Sequence, residues 1–310
     1  MKVRLALVAL LLTACGGATA ALSTPDTAGV QEAAAEPIVV ARQTAGPRPA
    51  SQAAAPALIV SPEAADRIDA VLARVLARQG GRAAVVVAGG RSGEILHASG
   101  LDEPVFAASL YKLGVLLEAE RRIDAGTLQP SDLITVTVAD QSESGSFTAA
   151  GSVLTVDDAL ERTIVLSDNA AALALIRRLG ISAIQATLDR ERIYLQFTAD
   201  GAITTARGIA TFFGELVRGS LVSHEASARM LARLSRQRAV DRLPAALPAG
   251  AVIAHKTGNL GFATHDAGIV SGPGGAPVVL VVLTWDSAER DAIDLIREIA
   301  LLAYEGLTRT

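Results

Sequence analysis

Three short stretches hold residues that can do nucleophilic chemistry. In "SLYK", Ser109 and Lys112 lie three positions apart, the spacing that brings two side chains together on one face of a helix. A serine hydroxyl is a weak nucleophile until a neighbouring base takes its proton. A buried lysine can be that base, because desolvation favours its neutral amine, whereas arginine stays charged. The chain has only three lysines among 28 basic residues, Lys2, Lys112 and Lys256, so arginine is its ordinary cation. A lysine kept at position 112 marks a need for a removable proton.

The second stretch, "SDN", places Ser167, Asp168 and Asn169 where one helical pattern stops and the next starts. All three types are favoured helix caps, so by itself the triplet reads as a cap. The third, "HKTG" at residues 255–258, follows an alternating apolar run and so sits on a strand that meets a glycine. By themselves Lys256 and Thr257 there read as a strand end with a turn. His97, His224, His255 and His265 show no close ligand spacing, so no metal site is expected. His265 with Asp266 begins a strand beside the "HKTG" strand and reads as cleft lining or as a structural hydrogen bond. Trp285 and the tyrosines read most simply as core or rim residues, with Tyr111, inside the first stretch, the one that could also face a substrate.

The elements that must position these groups follow from periodicity. Ser61 caps a helix that has Pro62 at its first position and ends at Gly80. "RAAVVVAGG" and "EILHASG" read as two strands joined by a turn around residues 91–93. From about residue 106 to 245 the pattern is helical. Helices are expected from Ser109 to Ala125, from Thr155, from Asn169 to Gly180, and in "TTARGIATFFGELVRG" and "SHEASARMLARLSRQ". Strands return in "AVIAHKTG", "HDAGIVSG" and "PVVLVVLTW", followed by an amphipathic helix. Two strands from the start and three from the end assemble most simply into one antiparallel sheet. The expectation is an α+β body, residues 58–310, with a five-stranded antiparallel sheet flanked by helices (58–105 and 246–310) and an all-helical lobe (106–245).

Ahead of the body, "MKVRLALVALLLTAC" sets Lys2 and Arg4 before an apolar run too short to span a bilayer, the pattern of a secretory signal over residues 1–14. "LTAC" resembles a bacterial lipobox, which implies cleavage before Cys15 and a lipid anchor on it. Residues 15–57 are rich in Ala, Pro, Thr and Gln and read as a flexible tether. Cys15 is the only cysteine, so no internal disulfide is available to an exported fold. With 28 basic against 32 acidic residues and no basic–aromatic block, no nucleic-acid partner is expected. A monomer is the default expectation.

The order SxxK, SDN, KTG resembles the class A β-lactamases and related penicillin-binding DD-peptidases, and the resemblance extends over the whole body, from Pro62 to about Leu307. It implies a cell-envelope serine hydrolase without a cofactor, acting on a β-lactam or a peptidoglycan-derived peptide. It implies that Ser109 attacks the carbonyl, Lys112 accepts its proton and Ser167 relays a proton to the leaving nitrogen. Asn169 would hold the substrate's amide, Lys256 and Thr257 its carboxylate, and the backbone NH groups of Ser109 and Asn259 the oxyanion. Gly16, after Cys15, is similar to lipoproteins not retained in the inner membrane. Readings left open are a DD-peptidase or esterase with the same machinery, and a tethered envelope binding protein without chemistry.

One departure bears on turnover. Class A β-lactamases carry a water-activating glutamate in an E-x-x-L-N loop after SDN, and none is found here. Glu191, Glu215 and Glu225 are the only glutamates between residues 170 and 255, and the 89 positions from Ser167 to Lys256 are short for that family. Glu191 is the nearest candidate. Fast acylation with slow release is expected.

Overall fold

The computed structural model describes residues 58–309 except Gly80 and Glu143; the expected signal, Cys15 and the tether lie outside the described residues. In chain order the elements are β1 (Leu58–Val60), α1 (Pro62–Gln79), β2 (Arg82–Gly89), β3 (Ile95–Ser99), β4 (Val105–Phe106), a 3-10 turn (Ala108–Tyr111) and α2 (Lys112–Asp124). Then come β5 (Leu133–Thr135), β6 (Val153–Thr155), α3 (Val156–Val165), α4 (Asn169–Leu179), α5 (Ile181–Arg190), β7 (Leu195–Thr198), β8 (Gly201–Thr204), α6 (Ala206–Arg218), α7 (His224–Leu234) and α8 (Leu243–Ala246). The chain closes with β9 (Ile253–Leu260), β10 (Ala263–Ser271), β11 (Pro277–Trp285), α9 (Glu289–Glu305) and β12 (Leu307–Arg309).

The main sheet runs β3–β2–β11–β10–β9, every neighbouring pair antiparallel, as the strand pattern implies. Its strands β2 and β11 are apolar at nearly every position because both faces are covered, and side chains that alternate across a strand are sorted between two cores. Val85, Val87, Leu280 and Val282 pack with Ile68, Leu295 and Ile299 of α1 and α9. Val86, Ala88, Val281 and Leu283 face the other way, into the core that includes Leu113, Leu116, Phe212 and Phe213. Each such valine, leucine, isoleucine or phenylalanine contributes about 1.5–3 kcal/mol by leaving water. An aspartate at wholly buried Val281 would strand a charge with no partner.

The lobe is built round α2, in which every residue from Lys112 to Glu120 is buried. A helix enclosed on all sides cannot show a clean apolar stripe. Its two buried acids are paired: Glu118 accepts from Arg121, Arg122 and Thr187, and Glu120 from Arg229. The result is a fixed rod with Ser109 and Lys112 at its N-terminal end.

Three local features differ from the sequence pattern. Ser109 lies in the 3-10 turn and not in the first α turn, because Ala108 adopts a left-handed backbone (φ +45°) that turns the chain from β4 into α2. Four short strands occur between residues 106 and 245: β8 pairs with β4 and β7, apart from the β5–β6 ribbon. Strands of three or four residues hold too few alternations to stand out against helical neighbours. Finally, α5 restarts directly after Gly180, whose φ of +85° lets the chain bend sharply between two helices.

Candidate active site

The 3-10 turn stacks residues three apart almost in line, so Ser109 and the first residue of α2 share one edge. Lys112 Nζ is 3.2 Å from Ser109 Oγ. It is also 2.6 Å from the Ser167 carbonyl oxygen, 2.6 Å from Asn169 Oδ1 and 3.1 Å from Ser167 Oγ. The two shortest contacts go to atoms that can only accept, which takes up two N–H bonds of the amine. A neutral amine then has its lone pair left for a hydroxyl to donate into, and Ser109 stands there. Lys112 is wholly buried, and that burial pulls its pKa down to about 7, against the opposing pull of the Asp168 carboxylate. The same burial, with Asp168 nearby, keeps the Tyr111 phenol protonated above its usual range.

The SDN segment divides its work between structure and site. Asp168 caps α4, its carboxylate accepting from Ala170 N (2.9 Å), Phe147 N (3.1 Å) and the Thr148 hydroxyl. Ser167 takes a left-handed backbone (φ +58°), and its carbonyl and hydroxyl both reach Lys112. The Asn169 backbone N–H donates to Gly145 O and its Nδ2 to Ser144 O, which leaves Oδ1 for Lys112. The cap reading therefore holds for Asp168, while its two neighbours meet Lys112.

Lys256, on β9, lies across from this group. Its Nζ donates to Ser167 Oγ (3.0 Å) and to the Thr257 carbonyl (2.8 Å), so one hydroxyl bridges two lysines. Lys256 is wholly buried. Burial first, then the Lys112 and Arg242 charges, push its pKa well below the usual lysine value, with Asp266 opposing. Gly258 follows because the Ser109 turn packs against β9: a Cβ there would lie 3.2 Å from both the Ala107 carbonyl oxygen and the Ala108 Cβ. The structure thus gathers Ser109, Lys112, Ser167 and Asn169, with Lys256 one hydroxyl away and Thr257 next to it on β9.

His265 is structural. It is fully buried, with Nε2 donating to Phe106 O (2.7 Å) and Nδ1 accepting from Thr284 N (3.1 Å), and burial lowers its pKa to about 4. His255 pairs with Asp266 at 2.8 Å. Glu191 ends α5 and has no hydrogen bond to Lys112 or Ser109, while Glu215 pairs with Arg218 and Ser220. Among the described residues, no carboxylate hydrogen-bonds the Lys112 amine, and no His, Cys, Asp and Glu cluster is arranged to hold a metal. Phe197 of β7 packs edge-on against the Tyr111 ring, with centroids 6.1 Å apart.

Arg242 carries no sequence signal, standing alone in "RAVDRLPAA". Its side chain is buried behind β9, and Nη1 donates to Gly258 O (2.9 Å) and His265 O (2.8 Å), carbonyls that face each other across β9 and β10. Strand pairing, invisible to any local motif, creates that position.

Residues 63–307 match the family model described as the beta-lactamase enzyme family. Curated relatives include beta-lactamases of Streptomyces fradiae, 33% identical over 174 residues, and Streptomyces albus G, 34% identical over 177 residues. These alignments cover 50% and 51% of this chain, and the chain spans 56% of each relative's length. Among solved structures, the ancestral (GNCA) class A beta-lactamase superposes with a TM-score of 0.70 at 26% identity, covering 78% of this chain and 99% of that one. A point mutant of PBP-A, solved as an acyl-enzyme complex with penicillin G, superposes with a TM-score of 0.72 over 78% of this chain and 95% of that one. Its 24% identity speaks to the fold alone.

Proposed function

Because the chain belongs to the beta-lactamase enzyme family, we propose that it is a serine hydrolase that opens β-lactam rings through an acyl-Ser109 intermediate, without a cofactor. The observation that carries this reading is the buried Lys112 amine 3.2 Å from Ser109 Oγ, with no carboxylate hydrogen-bonded to it among the described residues. Lys112 takes the hydroxyl proton as Ser109 Oγ bonds to the ring carbonyl carbon. The ring C–N bond then breaks, and the nitrogen receives a proton through Ser167, which touches both lysines. Asn169 binds the substrate's amide, and Lys256 and Thr257 its carboxylate. The backbone N–H groups of Ser109 and Asn259 face the oxyanion, an arrangement that stabilises charge appearing only in the transition state. Water adds to the ester and releases Ser109.

That last step is the slow one in this reading. The Asp168 oxygens are taken by three donors and Glu191 has no hydrogen bond to the site, so among the described residues no carboxylate is hydrogen-bonded to Ser109 or Lys112 to activate water there. The same observation favours a second reading, a penicillin-binding protein that acylates and stays acylated. The sequence further supports export and lipidation at Cys15, which would put the protein in the cell envelope, as a monomer tethered to membrane. The test uses a fluorescent penicillin and nitrocefin. A covalent adduct lost in Ser109→Ala is expected, and absence of any adduct in the unaltered protein would exclude the chemistry. Steady nitrocefin turnover favours the lactamase; a single turnover favours the second reading.

A further inference from the structure

Acylation leaves a proton on Lys112 in surroundings that do little to hold a charge. Among the described residues no carboxylate hydrogen-bonds the amine, and its partners are the uncharged oxygens of Ser109, Ser167 and Asn169. Of the charged groups around it, Asp168 at the head of α4 favours the ammonium and Lys256 on β9 opposes it, while Glu118 and Glu120 farther along α2 are taken by arginines.

One further group meets the amine. Lys112 Nζ stands over the Tyr111 ring, 5.5 Å from its centroid, within the range at which the negative face of an aromatic ring attracts a cation. Lys112 is wholly buried, and the attraction is stronger where water is excluded. The Tyr111 phenol stays protonated, so the ring offers its face and no phenolate charge. The ring is also held in place. Phe197 packs edge-on against it, and the β7–β8 hairpin that carries Phe197 is fastened on two sides. Phe197 N–H donates to Gln185 Oε1 on α5 (2.9 Å), and Ala107 N–H, two residues before Ser109, donates to Ala202 O on β8 (2.7 Å).

We propose that Tyr111 is a positioning residue for the transferred proton, its ring face stabilising the ammonium that forms on Lys112 where no carboxylate is bonded to it. As Ser109 Oγ bonds to the carbonyl carbon, the carbonyl electron pair moves onto its oxygen, the Oγ–H bond breaks, and the proton comes to rest on Nζ over the ring. This rests on the reading of Lys112 as the base.

The test is the pH dependence of benzylpenicillin adduct formation, followed by intact mass in the full chain. It compares the unaltered protein with Tyr111→Leu, Tyr111→Phe and a series carrying mono-, di- and trifluorinated phenylalanine at position 111, in which fluorine withdraws electrons from the ring face and nearly keeps its shape. Because the ring favours the charged amine, removing it makes the amine easier to deprotonate, so the bend of the profile in Tyr111→Leu is expected about one pH unit lower. Tyr111→Phe keeps the bend in place, and the fluorinated series moves it down in step with the number of fluorines. A bend that stays put in Tyr111→Leu, or moves up as water entering the vacated space would cause, overturns the proposal. So does a fluorinated series without a trend, which decides the matter where Tyr111→Leu fails to fold. An unaltered protein that forms no adduct, or forms it without any bend, would overturn the reading of Lys112 itself, and this inference with it.

Discussion

At Lys112 two opposing effects meet on one amine. Desolvation drives it neutral, the Asp168 carboxylate draws it back, and the outcome is a pKa of about 7. Arginine could fill the same hole but could not lose its proton, which is why the scarcity of lysine made this position legible from sequence. His265 shows the opposite case, because spacing alone left it open whether that ring lined the cleft. Its two ring nitrogens are used by Phe106 O and Thr284 N, and burial depresses its pKa from 6.5 to about 4. The unfolded chain therefore binds a proton below 6.5 that the folded one refuses until about 4. The stability this neutral ring preserves is present above pH 6.5 and is lost as pH falls, on the order of 3 kcal/mol across that window. Melting temperature measured from pH 7 to pH 4 should fall less steeply in His265→Gln, which keeps a donor and an acceptor but cannot titrate there. Equal slopes would show that His265 is not the titrating group.

Among elements, the contact that matters most is between the Ser109 turn and β9. It depends on the left-handed backbone of Ala108 and on the missing side chain at Gly258. A periodicity reading finds the helix and the strand but not their approach, since no local pattern encodes a 3.2 Å limit between segments about 150 positions apart. It also passes over β7 and β8, although β7 brings Phe197 against Tyr111 beside the nucleophile. Gly258→Ala should slow acylation about tenfold or more while costing about 1–3 kcal/mol of stability, because a methyl there presses on the His265 ring as well as on Ala107 and Ala108 and so shifts Ser109. Adduct formation by intact mass, read beside a thermal melt, checks both. Unaltered acylation in a protein of unaltered stability would mean that the turn tolerates the displacement.

For the molecule as a whole, the sequence made the sheet and the main helices readable because apolar runs and caps repeat with clear periods. It made the three boxes readable because lysine is so rare. Arg242 escaped because its meaning arises only when the start of α8 closes on β9 and β10. The architecture holds two buried lysines on either side of one serine hydroxyl, and the chemistry requires Lys112 to be neutral when substrate arrives. The most direct test is the rate of benzylpenicillin adduct formation, followed by intact mass from pH 5 to pH 9. The expected rate climbs about tenfold per pH unit at the acid end, bends near pH 7 and levels off above it. A rate that is flat across the whole range, or highest at pH 5, would contradict a neutral Lys112 as the base.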